Sequence, residues 1–275
     1  MIIDGRKIAS GIINQLKTEV SSLPFIPVFC DCLVGDNPVS AQYVSLKAKK
    51  SIEAGIKFLR ADFPNNISTE DLVGEIQKLN KTPDICGLIV QLPLPAHIDR
   101  GEALNAIAST LDVDSIGKER NEKFYRGDLT IMPPTAAAVM LILDFLRQDL
   151  TNKNILVLGQ GELVGRPVSF LLKQRGLNVI TADKYTMNPE KLMLEADVII
   201  SGAGKRKLIT GDKIKKGCVV IDAGTSEDGG QIVGDADFES VKNVASYFTP
   251  VPGGVGPVTV AMLLSNVVKV AKQKK

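Results

Sequence analysis

A chain of 275 residues, 44% hydrophobic and 23% charged, is long enough for two domains of ordinary size. A net charge of +2 argues against a nucleic-acid surface. No unbroken apolar run reaches the roughly 18 residues of a membrane span, and Met1 to Lys7 has no signal-peptide pattern. A cytoplasmic protein with neither nucleic-acid nor membrane partners is therefore expected. With His97 the single histidine, neither a zinc site nor a Cys–His nucleophile is supported, and no metal is expected. Cys30 and Cys32, two apart on a strand, share one face and read as buried thiols rather than a redox pair.

Ile8, Ile12, Ile13, Leu16 and Val20 at helical spacing predict a helix over 5–22. Val28 to Val34 reads as a strand and Gly35-Asp36-Asn37-Pro38 as a turn. Ser40 is the expected N-cap of a helix over 40–54. On that helix Tyr43 and Lys47 stand at i, i+4 and point the same way. Ile56 to Ala61 alternates like a strand, and 69–80 is an amphipathic helix capped by Ser68 or Thr69. Ile85 to Leu92 is a buried strand running into the rigid Pro93-Leu94-Pro95. A helix over 101–108 leads to Leu111-Asp112-Val113-Asp114-Ser115. This alternation calls for parallel strands with covering helices.

An apolar helix from Thr135 to about Asp149 precedes the stretch Ile155-Leu156-Val157-Leu158-Gly159-Gln160-Gly161-Glu162-Leu163-Val164-Gly165. Its G-x-G-x-x-x-G spacing is one residue longer than the usual dinucleotide fingerprint. One glycine suits a turn at positive φ, and another suits backbone that must approach a pyrophosphate. A helix over 165–174 would then offer free N–H groups to the anion, with Pro167 tolerated in its first turn. Taken alone, the pattern fits a glycine turn that binds nothing equally well. Strands at 179–183, 198–202 and 219–224 end in glycine or aspartate, as a nucleotide-binding sheet requires. Thr249 to Pro257 is too rich in Gly and Pro for regular structure. An apolar helix from Val258 to Val270 closes the chain, and the tail Lys272-Gln273-Lys274-Lys275 reads as a solvated terminus.

Several separated segments together resemble the bifunctional methylenetetrahydrofolate dehydrogenase/cyclohydrolases. They are Tyr43-Val44-Ser45-Leu46-Lys47, Gly87 to Pro95 with its Gln91-Leu92-Pro93-Leu94-Pro95, Asp112-Val113-Asp114, the glycine stretch, Ala196 to Ile200, and Pro250-Val251-Pro252-Gly253-Gly254-Val255-Gly256-Pro257-Val258-Thr259. They occur in family order and span nearly the whole chain. The resemblance implies two α/β domains with parallel sheets, the second Rossmann-like, with a folate cleft between them. A catalytic, folate-binding domain would comprise 1–136 with 256–275, and a NAD(P)-binding domain 137–255.

Two activities are implied: oxidation of 5,10-methylenetetrahydrofolate to the methenyl cation, and hydrolysis of that cation to 10-formyltetrahydrofolate. The resemblance assigns Lys47 general acid/base duty, Gln91 the contact to Lys47 and substrate, and Asp114 the pterin hydrogen bonds. Tyr43 would pack on the folate ring, with Pro252, Gly253, Gly254 and Val255 lining its cleft. Gly159, Gln160, Gly161, Val164, Gly165, Asp183, Gly204, Thr225 and Thr259 would meet the cofactor. A homodimer built on the cofactor domains is also implied. On the residues alone, Tyr43 and Lys47 are an ordinary pair on an exposed helix, and Gln91 could merely cap a strand.

The chain departs from the family pattern at several places. Gln160 replaces the usual arginine of the phosphate loop, and Asp183-Lys184-Tyr185-Thr186 replaces a basic segment. An acid at that strand end accepts ribose hydroxyls and repels a 2′-phosphate, which favours NAD over NADP. Lys184 and Arg166 are nearby cations that pull the other way, and Asp183 could be a solvated turn residue. Ser115 replaces a glycine, and both 116–126 and Pro133 to Ala138 differ from the family. These departures leave two rivals: a monofunctional NAD-dependent dehydrogenase, and a catalytically silent folate- or nucleotide-binding protein.

Overall fold

The computed structural model describes residues 1–229 and 231–274; the tail residue Lys275 lies outside them. Two compact units emerge. The first is formed by Ser10–Pro134 with the chain from Val260 onward, the second by Met1–Ala9 with Thr135–Thr259. The opening residues group with the second unit because Ile2 bridges Phe248 and the Ile3 amide donates to the Phe248 carbonyl at 2.8 Å.

Helix α1 (Gly5–Ser21) precedes β1 (Val28–Val34), α2 (Pro38–Glu53), β2 (Lys57–Phe63), α3 (Thr69–Leu79), β3 (Ile85–Val90), α4 (Arg100–Asn105) and α5 (Lys118–Tyr125). The strands form a parallel sheet in the order β2-β1-β3, with β1 and β3 buried along their whole length. Burial on both faces is what their continuous apolar runs require. Helix α2 starts earlier than expected: Asn37, not Ser40, is its cap, accepting from the Ser40 amide at 3.0 Å, with Pro38 at the first helical position. Ser68 caps α3 through the Asp71 amide. Helix α4 is shorter than the predicted 101–108. Helix α5 was not expected, since its sequence KERNEKFY has almost no apolar face.

The second unit contains α6 (Pro134–Phe145), β4 (Ile155–Leu158), α7 (Gly165–Gln174), β5 (Val179–Ala182), α8 (Pro189–Glu195), β6 (Val198–Ser201), β7 (Val219–Asp222), β8 (Ser226–Asp228), β9 (Gln231–Val233), α9 (Phe238–Val241), β10 (Tyr247–Phe248) and the start of α10 (Val255–Gln273). Its sheet is parallel in the order β10-β7-β6-β4-β5. The core beside it includes Leu156, Leu158, Ile199, Val220 and Phe248. Because β5 lies on one side of β4 and β6 on the other, strand order reverses at β4, the place where such sheets bind ligands. The elements α8, β8, β9, α9 and β10 escaped the sequence reading because each is too short to show a period.

Helix α10 begins at Val255 rather than Val258. It has the length and apolarity of a membrane span, contrary to expectation, with a mean hydropathy of 1.3 over its most apolar window. That window is 67% buried inside the fold, so its apolar face is occupied by protein. The tail is not free: Lys272 pairs with Glu19 at 2.8 Å, and Lys274 donates to the Ile85 carbonyl at 2.6 Å.

Candidate active site

In the first unit, α2 carries Lys47 inward with 4% exposure, contrary to the solvent-facing alternative. Its Nζ donates to Gln91 Oε1 at 2.7 Å. Gln91 follows β3 directly; its own amide donates to the Cys32 carbonyl at 2.8 Å, and its Nε2 donates to the Leu92 carbonyl at 2.6 Å. The Gln91 amide is thereby held with its oxygen toward Lys47. Ser51, one turn after Lys47, donates its hydroxyl to the Lys47 carbonyl at 2.8 Å. Tyr43, one turn before Lys47, is half-buried, and burial raises its phenol pKa.

The second partner of Lys47 is one the sequence reading missed. Asp31, in the middle of β1 and 0% exposed, places its Oδ2 2.6 Å from Lys47 Nζ. No other donor reaches either Asp31 oxygen among the described residues. Burial raises the Asp31 carboxyl, and the charge of Lys47 opposes that rise. One sequence signal was available: a single aspartate inside Val-Phe-Cys-Asp-Cys-Leu-Val, on the face opposite Cys30 and Cys32. All four cysteines are free and buried, and no cluster of metal-binding side chains exists among the described residues.

Asp112 and Asp114 divide their duties. Asp112 is buried and accepts from the amides of Ser115 and Gly117, each at 2.8 Å, and of Asp114 at 3.2 Å. Burial pushes its carboxyl up to about 7, with those amides opposing the rise. Asp112 thus shapes the loop that presents half-buried Asp114. Burial raises the Asp114 carboxyl as well; Lys47 opposes this and Asp31 adds to it, so the three charges sense one another. Ser115 holds φ at 59°, a left-handed conformation that suits the family glycine it replaces.

In the second unit the glycine turn sits where strand order reverses. Gly159 has φ 81°, and a side chain there would press on the Gly202 carbonyl and Ala203 Cα, both 2.7 Å away. At Gly165 a Cβ would overlap the Gly159 carbonyl. At Gly161, by contrast, nothing lies within 4 Å of an added Cβ. Two glycines are therefore needed by the fold, and the third leaves open space beside exposed backbone. Val164 packs on Gly202 and no side chain caps α7; in its first turn the Arg166 amide donates to the Gly161 carbonyl at 3.1 Å, and Pro167 has no N–H. Gln160 turns back, its Nε2 donating to the Gly159 carbonyl at 3.0 Å.

Asp183 follows β5, next to the glycine turn whose Gly159 amide donates to the Ala182 carbonyl at 2.8 Å. It is exposed, and its Oδ1 accepts from the Tyr185 amide at 2.9 Å and the Thr186 hydroxyl at 3.2 Å. Gly204, at φ 63°, faces the Thr225 carbonyl. Thr259 lies one turn into α10, donating to the Val255 carbonyl at 3.2 Å. In the proline-glycine loop Pro252 is exposed. The Gly253 carbonyl accepts from the Gly5 amide at 3.0 Å, and at Gly254 a side chain would meet the Pro250 carbonyl at 2.5 Å.

A second unforeseen pair of acids braces this unit. Asp235 accepts from Ser201 Oγ at 2.5 Å, Ala203 N at 2.8 Å and Lys205 N at 2.7 Å. Asp222 accepts from Gly224 N at 3.0 Å and Ala236 N at 2.8 Å. Together they fix the loops after β6 and β7 that carry Gly204 and Thr225. Burial pushes the Asp222 carboxyl up to about 7, with nearby Asp235 adding to the rise.

Comparison with known proteins gives a consistent set of relatives. Residues 3–114 match the family model of the tetrahydrofolate dehydrogenase/cyclohydrolase catalytic domain, and residues 133–275 that of its NAD(P)-binding domain. The bifunctional protein FolD of Nitratiruptor sp. is 41% identical, over 100% of this chain and 99% of that protein. The FolD of Geobacillus thermodenitrificans is 39% identical over 99% and 97%. Among solved structures, the bifunctional FolD of Campylobacter jejuni superposes with a TM-score of 0.94 at 37% identity, covering 100% and 99%. The Trypanosoma brucei FolD, complexed with NADP and an inhibitor, gives 0.94 at 33%, covering 100% and 98%.

Proposed function

The chain belongs to the tetrahydrofolate dehydrogenase/cyclohydrolase family, and on that footing we propose that Lys47, Gln91 and Asp114 carry its folate chemistry. The enzyme oxidises 5,10-methylenetetrahydrofolate with a nicotinamide dinucleotide and hydrolyses the resulting methenyl compound to 10-formyltetrahydrofolate. The observation that carries the residue assignment is the buried contact of Lys47 with Gln91. Lysine ordinarily keeps its amine in water, and here the amine is drawn into the interior onto an amide oxygen and a carboxylate.

A bound nicotinamide would supply the hydride acceptor for the methylene bridge. Gly159, Gly161 and Gly165 suit the pyrophosphate, since open backbone and an uncapped helix start meet there. Gln160, Val164, Asp183, Gly204, Thr225 and Thr259 complete the proposed contacts. Hydrolysis then adds water to the methenyl carbon: the C–O bond forms as the amidinium electrons move onto nitrogen and one water proton leaves to solvent, after which the Lys47 ammonium gives a proton to N5 and takes back the carbinol proton. Rupture of the C–N5 bond places a proton on N5, so the net reaction releases one proton. Gln91 orients the Lys47 amine. Asp114 would accept the pterin amino group and ring N–H. Tyr43 would stack on the ring, and Pro252, Gly253, Gly254 and Val255 would line the folate site. We assign 1–136 with 256–275 to folate binding and 137–255 to the dinucleotide.

NAD is favoured over NADP because Asp183 stands beside the glycine turn and Gln160 supplies no cation. Exposed Arg166 and Lys184 weaken that preference, and the Trypanosoma brucei relative holds NADP. A cytoplasmic homodimer paired through its cofactor domains completes the reading. The test is a spectroscopic assay of methylenetetrahydrofolate oxidation with each cofactor, beside a separate assay of methenyl hydrolysis. NAD should give the higher kcat/KM, and both reactions should proceed. A clear NADP preference would remove Asp183 from its role, and absent hydrolysis would leave a monofunctional dehydrogenase.

A further inference from the structure

Asp31 has no place in the mechanism above, yet it is the most deeply buried charge beside Lys47. Its strand is otherwise apolar, and a valine there would fill a sheet interior with no charge to compensate. Lys47 is the one group that reaches its oxygens among the described residues, and the pair is closed to solvent. Arg60 and Asp62, both on β2, act on it at longer range with opposite signs.

The substrate chemistry gives this pairing a use. Methylenetetrahydrofolate is uncharged at its one-carbon bridge, whereas the methenyl compound carries a positive charge there. A buried ammonium would repel that charge, and a carboxylate at 2.6 Å from the amine cancels most of the repulsion. We propose that Asp31 is a positioning and specificity residue. It acts through Lys47 and lets the site hold the cationic methenyl intermediate next to its own amine. This rests on the placement of Lys47 at the folate bridge proposed above.

Two substrates that differ in bridge charge but share the pterin and glutamate moieties isolate the effect. In the full-length enzyme, Asp31→Asn should raise the KM for methenyltetrahydrofolate in hydrolysis about tenfold. The KM for methylenetetrahydrofolate in oxidation should stay within about twofold. Asp31→Val, which packs better in an apolar strand, should show the same asymmetry. Combining Asp31→Asn with Lys47→Met removes both charges, and equilibrium binding of methenyltetrahydrofolate should recover relative to Asp31→Asn alone. A merely structural role would move both KM values together, and that result, or no change in either, overturns the inference. Normal hydrolysis by Lys47→Met would instead overturn the assignment of Lys47, so the two failures are distinguishable.

Discussion

The two sites are built from opposite materials. Around Lys47 the work falls to side chains: an amine, an amide and carboxylates, projected from α2, β1 and the segments after β3 into a closed interior. Around Gly159 it falls to backbone, and the side chains matter by their absence. A site of charges fails when a functional group is removed, and a site of backbone fails when atoms are added. Each therefore has its own way of being broken.

The largest effect is expected at the first site. Lys47→Met should lower methenyl hydrolysis by roughly a hundredfold or more while the protein remains folded. The fold survives because Asp31, whose carboxyl burial already raises, takes up a proton once its partner is gone. Stopped-flow loss of methenyl absorbance and circular dichroism check both halves. At the second site, Gly165→Ala drives a methyl into the Gly159 carbonyl, and the cost should be several kcal/mol, read as a lowered thermal midpoint. Gly161→Ala meets nothing and should leave the midpoint within about 1 kcal/mol of wild type. If Gly161→Ala nonetheless raises the KM for the dinucleotide, the open space belongs to the ligand.

A third prediction concerns Asp222, where a charge enters the backbone-built unit. Burial pushes its folded carboxyl up to about 7, from an ordinary 3.8. Between those values the folded protein holds a proton that the unfolded chain has released. Its contribution to stability is complete below about 4 and lost as pH rises to about 7. Asp222→Asn should flatten the fall in thermal midpoint over that window. Asp112, with the same direction and a similar value, should leave a residual slope. A small effect is expected at Ser115, which holds a left-handed φ and a buried hydroxyl without a partner among the described residues. Ser115→Gly should stabilise the protein by about 1 kcal/mol in denaturant unfolding.

The same contrast explains what the sequence revealed. The strands β1, β3, β4, β6 and β7 were legible because continuous apolar runs between turn signals have few other uses. Gly159 and Gly165 were legible as a turn, yet the spacing could not say which glycine the fold needs and which faces open space. Lys47 and Gln91, 44 residues apart, met only through the resemblance, since no local pattern joins a helix face to a strand end. Asp31 and Asp235 were missed because a buried acid looks like a surface acid until its surroundings are known. Asp112, two residues before Asp114 in the same motif, braces the loop that presents it, a role no local pattern announces.

Helix α10 has a bearing on when the first site is completed. Asn266 donates to the carbonyls of Val113, at 2.9 Å, and Met132, at 2.8 Å, and Lys269 donates to that of Thr130 at 3.0 Å. Val267 fits against Gly87, where a side chain on β3 would meet it at 2.7 Å. The residue just before Asp114 is thus tethered to one synthesised 153 positions later. A nascent chain halted before this helix emerges from the ribosome holds Lys47, Gln91 and Asp31 but lacks the tether beside Asp114. The backbone beside Asp114 therefore depends on α10 for its anchoring, whatever the state of the sheet beneath it.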